Sequence, residues 1–173
     1  MKRFTIIISI LISTSYSYSQ TSNGRVSSLV AAENYFGALV KEKGIRHGFL
    51  KVSDNETLVF RPDPIKAEDF YDKRTQDDGQ LSWEPVYAKI SRSGDWGFTT
   101  GPYAHIADST SYGQFLSVWK ANKKGVWKLA LDIGIPHPKP KASPDLNFTD
   151  PKNFKFFRQI SESRLKQRED MIM

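Results

Sequence analysis

The first pattern of apolar and polar positions after residue 20 predicts a helix. Between Ser27 and Lys43, apolar side chains recur at the spacing of one broad helical face: Leu29, Ala32, Phe36, Leu39 and Val40. Ser27 or Ser28 can cap the start of this helix, and Gly44 can end it in the left-handed conformation.

Two further helices and one strand are predicted next. The second helix covers Ile45 to Val52, and the strand covers Thr57 to Phe60, where Arg61-Pro62 stops it. The third helix begins at Asp63, with a proline in its first turn, and runs to about residue 73. The N-terminal half is therefore predicted to be mainly helical.

Alternating patterns from residue 81 onward predict a meander of antiparallel strands. Their approximate bounds are Leu81–Arg92, Asp95–His105, Gly113–Lys120 and Val126–Ile133, and Ser93-Gly94 makes the first turn. Helices followed by such strands predict an α+β fold, in which a curved antiparallel sheet packs on the N-terminal helices.

Neither face of the predicted sheet is clearly polar. With Ser93-Gly94 as a two-residue loop, one face holds Trp83, Pro85, Tyr87, Trp96, Phe98 and Thr100, and the other holds Val86, Ala88, Ile90, Gly97, Thr99, Gly101 and Tyr103. In the next hairpin, Asp132 shares a face with Lys128, opposite Trp127. We therefore expect helices and a cavity on one side, and a second subunit or the C-terminal segment on the other. The alternative is a sheet with one exposed apolar face.

The N-terminus has the pattern of an export signal. Two basic residues precede the apolar run Phe4–Ile12, and Ser17 and Ser19 provide small side chains before Gln20. The run is too short to span a bilayer. We expect residues 1–19 to be a cleaved signal peptide and the protein to be periplasmic or secreted, without a membrane span. The alternative is a buried first strand or helix.

The length of 173 residues suits one domain of ordinary size. We predict that this domain covers residues 27–138. Four prolines in the stretch 134–144 exclude a regular helix or strand there, so residues 139–173 are predicted to be a Pro-rich linker followed by a charged helix from about residue 154. Whether that helix completes the domain or leads to further chain stays open.

Composition and charge narrow the possible functions. The absence of cysteine excludes disulfides, thiolate catalysis and Cys-based zinc sites. The formal net charge is +6, and its basic residues are mixed with acidic ones, so a nucleic-acid partner is not predicted. The three histidines have no metal-ligand spacing such as H-x-x-x-H, and we expect neither a metal site nor a cofactor.

Four segments, in this order, resemble the nuclear transport factor 2-like superfamily. They are AENYFGALVKEKG, VFRPDPIKAEDFY, LSWEPVYAKISRSGDWGFTTGPY and GQFLSVWKANKKGVWKLALDIG. The sequence is most similar to the SnoaL-like branch of bacterial domains of unknown function related to ketosteroid isomerase. The resemblance implies a cone-shaped roll: a strongly bent antiparallel sheet around helices, with a cavity open at one end. It also implies a homodimer through the outer face of the sheet.

The same resemblance provides a test for isomerase chemistry. Ketosteroid isomerases use a tyrosine on the first helix, a base just before the proline that ends the first strand, and an acid on a later strand. Tyr35 matches the tyrosine, Arg61 occupies the position of the base, and residues 114–116 offer no acid. Because a guanidinium is not a general base at neutral pH, this particular chemistry is not predicted.

The candidate ligand-binding residues combine rings with ionisable groups: Tyr35, Phe60, Arg61, Trp83, Tyr103, His105 and Asp132. Arg61 can hold an anionic group, or it can form a structural ion pair with Asp63 or Asp132. Asp132 can be a base, a ligand anchor or a capping residue on the outer face, and His105 can be a proton shuttle or a surface residue. The rings line a pocket or form ordinary core.

Three functions remain open. The first is an exported module that binds a small, partly apolar ligand without established catalysis. The second is an enzyme of the same fold, such as an isomerase, lyase or hydrolase, that uses Asp132 or His105. The third is a non-catalytic interaction domain whose cavity is filled by its own side chains.

Overall fold

The computed structural model describes residues 21–74, 79–140, 142 and 144–153. The elements in chain order are α1 (Val26–Lys43), α2 (Ile45–Val52), β1 (Leu58–Phe60), β2 (Pro64–Lys66), α3 (Ala67–Tyr71), β3 (Gln80–Trp83), β4 (Tyr87–Ile90), β5 (Trp96–Ile106), β6 (Thr110–Ala121), β7 (Trp127–Pro136) and β8 (Asn147–Thr149). The predicted signal peptide and the predicted C-terminal helix lie outside the described residues.

The strands form one curved, unclosed sheet in the order β2-β1-β7-β6-β5-β4-β8, and β3 pairs with β5. The long strands β5, β6 and β7 are antiparallel neighbours and make up its centre. Strands β1 and β8 are the parallel members, against β7 and β4 respectively. The predicted α+β class is therefore confirmed. Within the part of the chain that is described, no helix combines the length and apolar character needed to cross a membrane.

Helix α1 packs its apolar face against β3, β4 and β5. Each apolar residue of the predicted face is buried, and Gly44 ends the helix with a φ of 89°. Neither serine caps the start, which corrects that prediction. The backbone N–H of Val26 instead donates to Asp150 Oδ1 at 2.7 Å, because the chain after β7 returns to the sheet and places Asp150 at this end of the helix. Helix α2 has the predicted bounds.

The chain after β7 contributes to the sheet through β8. Its Phe148 packs against the core formed by α1 and the strands. Strand β7 continues to Pro136, so the prediction that residues 134–144 contain no strand was wrong for 134–136, where a proline ends the pairing with β6. The boundary predicted between residues 138 and 139 stays a prediction.

A hairpin and a short helix occupy the stretch predicted as a third helix. Pro64 pairs with Phe60 and Ile65 pairs with Val59, so residues 64–66 are strand β2 and not the first turn of a helix. Helix α3 can begin only after this pairing ends, and the N–H of Ala67 donates to the carbonyl of Thr57 at 2.9 Å. The prediction was wrong because a proline that suits a helical first turn also suits an edge strand.

The β4–β5 hairpin has the predicted register and faces. Its pairing centres on Ser93-Gly94, with Ile90 opposite Gly97. Ala88, Ile90 and Thr99 are buried on the face toward the helices, whereas Trp96 on the other face is 42% exposed.

Two register shifts of one residue each turn side chains to the face opposite the one that simple alternation predicts. β4 pairs Tyr87 with Thr100, but β3 pairs Trp83 with Tyr103, so the two strands are out of step by one residue. The pairing between β6 and β7 also shifts by one residue, at the step from Val118 to Trp119 of β6. Because a one-residue slip reverses the direction of every following side chain, Trp83 and Asp132 both point to the helix side.

Candidate functional site

A cavity of about 290 Å³ lies between the helices and the sheet. α1, α2 and α3 line it on one side and β3, β5, β6 and β7 on the other. Its size is near the lower end of the range for small-molecule sites. The two register shifts matter here, because both Trp83 and Asp132 line this cavity.

Aromatic rings form most of the apolar wall. Phe36 contacts Phe49 and Trp83 edge to face, each with 4.8 Å between ring centres, and Trp83 meets Phe115 at 6.3 Å. Phe49 stacks on Tyr71 with 4.3 Å between ring centres. Such pairs have defined geometries, so the wall is a set of interlocked rings with fixed orientations.

A polar cluster centred on Arg61 forms the other part of the lining. The guanidinium of Arg61 donates to Asp132 Oδ1 at 3.2 Å, to the Tyr71 hydroxyl at 2.9 Å and to the carbonyl of Phe60 at 2.7 Å. Ser117 donates to the second oxygen of Asp132 at 3.3 Å. The side chains of Arg61 and Asp132 are 27% and 11% exposed, so this ion pair is largely removed from water.

Burial sets the protonation behaviour of the cluster. Burial raises the pKa of Tyr71 to about 12, against the opposing charge of Arg61. It also raises the pKa of Asp132, and the charge and hydrogen bonds of Arg61 and the hydrogen bond from Ser117 act in the opposite direction. Burial raises the pKa of Tyr103 as well. At neutral pH, Tyr71 is therefore an uncharged hydroxyl beside a cationic guanidinium, and both are hydrogen-bond donors.

A second buried carboxylate, Glu33 of α1, lies directly behind the wall. It is fully buried and accepts hydrogen bonds from Trp83 Nε1 at 2.6 Å, from Trp119 Nε1 at 2.8 Å and from the hydroxyl of Thr99. Burial raises the pKa of Glu33 to about 7, the charge of Asp132 adds to this, and the three hydrogen bonds lower it.

The structure brings most of the sequence-predicted site residues together. Arg61, Trp83, Tyr103, His105 and Asp132 line the cavity. Two others are not among its lining residues: the ring of Tyr35 packs against the core, and Phe60 contributes its carbonyl oxygen to Arg61. Of the alternatives for Arg61, the ion pair with Asp132 is present. The ligand-binding roles of all these residues stay predictions.

Sequence reasoning missed Glu33, Phe49 and Tyr71. Glu33 follows Leu29 by four residues and precedes Phe36 by three, so a charged residue interrupts the apolar face of α1. That position was the available signal for a buried carboxylate. Phe49 and Tyr71 carry no comparable signal, because they meet only after α2 and α3 pack together. Among the described residues, no group of three histidines or acidic residues is placed to hold a metal ion.

Comparison with known proteins finds similar structures but no match by sequence. No family model matches the sequence, and no curated protein matches it either. Among solved structures, a protein from Parabacteroides distasonis that is provisionally assigned as a ketosteroid isomerase superposes with a TM-score of 0.54 at 11% identity. That alignment covers 69% of this chain and 97% of the other.

Two further structures support the same fold. A protein of unknown function from Shewanella oneidensis, described as nuclear transport factor 2-like, has a TM-score of 0.50 at 9% identity, over 61% of this chain and 94% of its own. A nuclear transport factor 2-like superfamily protein from Salmonella enterica serovar Typhimurium has a TM-score of 0.50 at 12% identity, over 68% and 93% of the two chains. This chain therefore has the fold of the nuclear transport factor 2-like superfamily, as its sequence resemblance implies.

Proposed function

We propose that this domain binds a small, partly apolar molecule in the cavity and holds an oxygen acceptor of that molecule beside Arg61 and Tyr71. The observation that carries the proposal is the division of the lining into a wall of interlocked rings and one cluster of hydrogen-bond donors. Ligand sites in proteins have this composition: mainly apolar surface with a few convergent polar groups that fix orientation.

Donors outnumber acceptors in the polar cluster. A guanidinium carries more N–H groups than the contacts of Arg61 within the described residues use. The Tyr71 hydroxyl accepts from Arg61, which leaves its own proton to donate. A carbonyl, carboxylate or other oxygen acceptor on the ligand would complete these hydrogen bonds. Because Asp132 balances the charge of Arg61, the cluster can accept a neutral carbonyl as well as an anion.

A pair of probes that differ in one oxygen tests this proposal. We expect 2-acetylnaphthalene to raise the melting temperature and to bind about tenfold more tightly than 2-ethylnaphthalene, since a hydrogen bond to a charged donor contributes roughly 1.5–3 kcal/mol. An Arg61→Met/Asp132→Leu double variant removes both charges together, and we expect it to lose most of this preference, because the Tyr71 hydroxyl is the donor that remains. Isothermal calorimetry and thermal shift measure both effects.

The matched control is Arg92→Met, which removes an exposed arginine from the turn before β5, at the other end of that strand from the cavity-lining residues Tyr103 and His105. The Arg92→Met variant should retain the tenfold preference for 2-acetylnaphthalene. If neither naphthalene shifts the melting temperature of the unaltered protein, the ligand proposal is wrong and a non-catalytic interaction domain becomes the better explanation. Equal binding of the two probes by the unaltered protein would show that the site does not recognise an oxygen acceptor.

Enzymatic use of Asp132 is the second candidate function. It is favoured by one observation: a buried carboxylate with a raised pKa lines the cavity next to two hydrogen-bond donors. If a bound compound is turned over, Asp132→Asn should reduce turnover at least a hundredfold while near-UV circular dichroism stays unchanged. His105→Ala tests the other candidate base in the same assay. Full turnover in both variants would exclude these residues as the base.

Export and self-association complete the proposal. The charged and apolar pattern of residues 1–19 supports a periplasmic or secreted protein. Exposed apolar residues on the sheet, such as Trp96 and Ile135, support a homodimer through its outer face.

A further inference from the structure

Glu33 links the core of the domain to one ring of the cavity wall. Its carboxylate is fully buried, and its Oε1 and Oε2 accept from different partners. Oε1 takes the indole N–H of Trp83, whereas Oε2 takes the indole N–H of Trp119 and the hydroxyl of Thr99. An indole N–H is only a donor, so it needs an acceptor in this place. Of the three partners, Trp83 is the one that lines the cavity.

The ring of Trp83 also makes apolar contacts, which are less directional than a hydrogen bond. It belongs to the four-residue strand β3 and is half-buried. On one side it meets Phe36 and Phe115, and it passes over Gly37, where an added Cβ would lie 3.8 Å from Cζ2 of Trp83. These apolar contacts pack the faces and edges of the ring, but none of them holds its nitrogen. The hydrogen bond at 2.6 Å fixes the position of its nitrogen and with it the ring plane.

We propose that Glu33 is a positioning residue for the ligand site, which holds Trp83 as the flat apolar wall against which the apolar part of the ligand packs. The ligand part of this inference rests on the proposed function. Glu33 itself need not touch the ligand, because it acts through the indole of Trp83. The sheet alone does not fix this ring, since β3 is short and out of register with β4.

The surroundings of Glu33 make its proton state visible in the two indoles. Its partners on β3, β5 and β6 are the neutral groups of Trp83, Thr99 and Trp119. Within the described residues, the charged group that acts on it is Asp132 of β7, which is itself paired with Arg61. Protonation of Glu33 converts one acceptor oxygen into a hydroxyl and weakens the hydrogen bonds that it receives.

The first test needs neither a ligand nor a variant. The protein has four tryptophans, so a ¹H–¹⁵N spectrum of the full chain contains four indole N–H signals, which single Trp→Phe variants assign. In a titration from about pH 5 to about pH 9, we expect the signals of Trp83 and Trp119 to shift together with one midpoint near 7, since the pKa of Glu33 is raised to about 7. Exposed Trp96, and Trp127, whose indole donates to Ser28, should not follow this titration.

The second test uses Glu33→Gln against Thr99→Val. Glutamine keeps one acceptor oxygen and replaces the other with an NH₂ donor. The retained oxygen satisfies Trp119 and Thr99 together, so the amide faces the indole N–H of Trp83 and repels it. We expect the Trp83 signal to move strongly in this variant and 2-acetylnaphthalene to bind about tenfold more weakly. Thr99→Val removes a partner of the same carboxylate and is compared with the unaltered protein at about pH 9, because loss of this hydrogen bond also raises the pKa of Glu33. At that pH it should leave the Trp83 signal and the probe affinity unchanged.

The outcomes separate this inference from the proposed function. A Trp83 signal that neither titrates with Trp119 nor moves in Glu33→Gln overturns the positioning role, whatever the probes do. An equal loss of affinity in Glu33→Gln and Thr99→Val also overturns it, since that result reports general loosening of the core. If the unaltered protein binds neither probe, the ligand part is overturned with the proposed function. The indole signals still decide whether Glu33 holds Trp83.

Discussion

An Asp132→Leu variant is expected to unfold with a free energy about 3 kcal/mol lower than that of the unaltered protein. The substitution removes the carboxylate that pairs with Arg61 and leaves that guanidinium beside the rings of Phe49 and Phe70, at 5.6 and 6.0 Å from their centres. Ser117 loses its acceptor at the same time. Urea denaturation at pH 7, followed by far-UV circular dichroism, measures the difference.

The Arg61→Met/Asp132→Leu double variant should recover most of this loss, because it leaves no unpaired charge in the site. A double-mutant cycle over the two positions then gives the coupling between the charges. The matched control is Asp72→Ala, which breaks the ion pair with Arg46 at a site where the two side chains are 69% and 40% exposed. That loss should stay below about 1 kcal/mol. Equal effects of Asp132→Leu and Asp72→Ala would show that the cavity ion pair contributes no more than a surface pair.

The double variant also tests whether the ion pair has a function beyond stability. Two apolar residues would fill the same space without the desolvation penalty of burying two charges. If the double variant is stable but loses its preference for 2-acetylnaphthalene, the charges are present for recognition of a polar group. Arg61 follows β1 directly, and its partner Asp132 lies on β7, which is distant in sequence but pairs with β1 in the sheet.

Local periodicity explains which parts of the fold could be predicted. The apolar face of α1, the bounds of α2 and the register of the β4–β5 hairpin all depend on neighbouring residues, and each prediction is confirmed. The stretch 63–73 failed because β2 pairs with β1, a contact that competes with helix formation and leaves no separate mark in the sequence. The cone-shaped fold as a whole came from the resemblance of four segments, and not from periodicity.

The candidate site was less predictable because it depends on two register shifts. Strict alternation puts Trp83 on the same face as Trp96, and Asp132 on the same face as Lys128. One extra residue in β7, and one between β3 and β4, turn both side chains toward the helices. Such shifts bend and twist the strand locally, and the alternation of apolar and polar residues does not reveal them. They also explain why Arg61 and Asp132 were separate candidates and became one cluster only in the folded chain.

Glu33 gives the second large expected effect, a loss of stability as the pH rises. The pKa of its carboxyl is raised from 4.5 to about 7, and burial is the main cause. The native state therefore binds this proton more tightly than the unfolded chain, and stability falls as the pH rises from the lower value through the higher one. The difference in pKa corresponds to about 3 kcal/mol. Urea unfolding at several pH values from about 4.5 to about 8 measures this loss.

A comparison with Glu33→Gln isolates this contribution, because Asp132 also has a raised pKa and acts in the same direction in both proteins. The advantage of the unaltered protein over Glu33→Gln should be greatest near pH 4.5, should shrink by about 3 kcal/mol by pH 8, and should be independent of any ligand. Glu42→Gln, at an exposed position of the same helix, should run parallel to the unaltered protein. Parallel curves for Glu33→Gln would mean that Glu33 does not take up a proton in this range. The carboxylate would then be held ionised by its two indoles and Thr99, and the ring of Trp83 would be equally fixed at every pH tested.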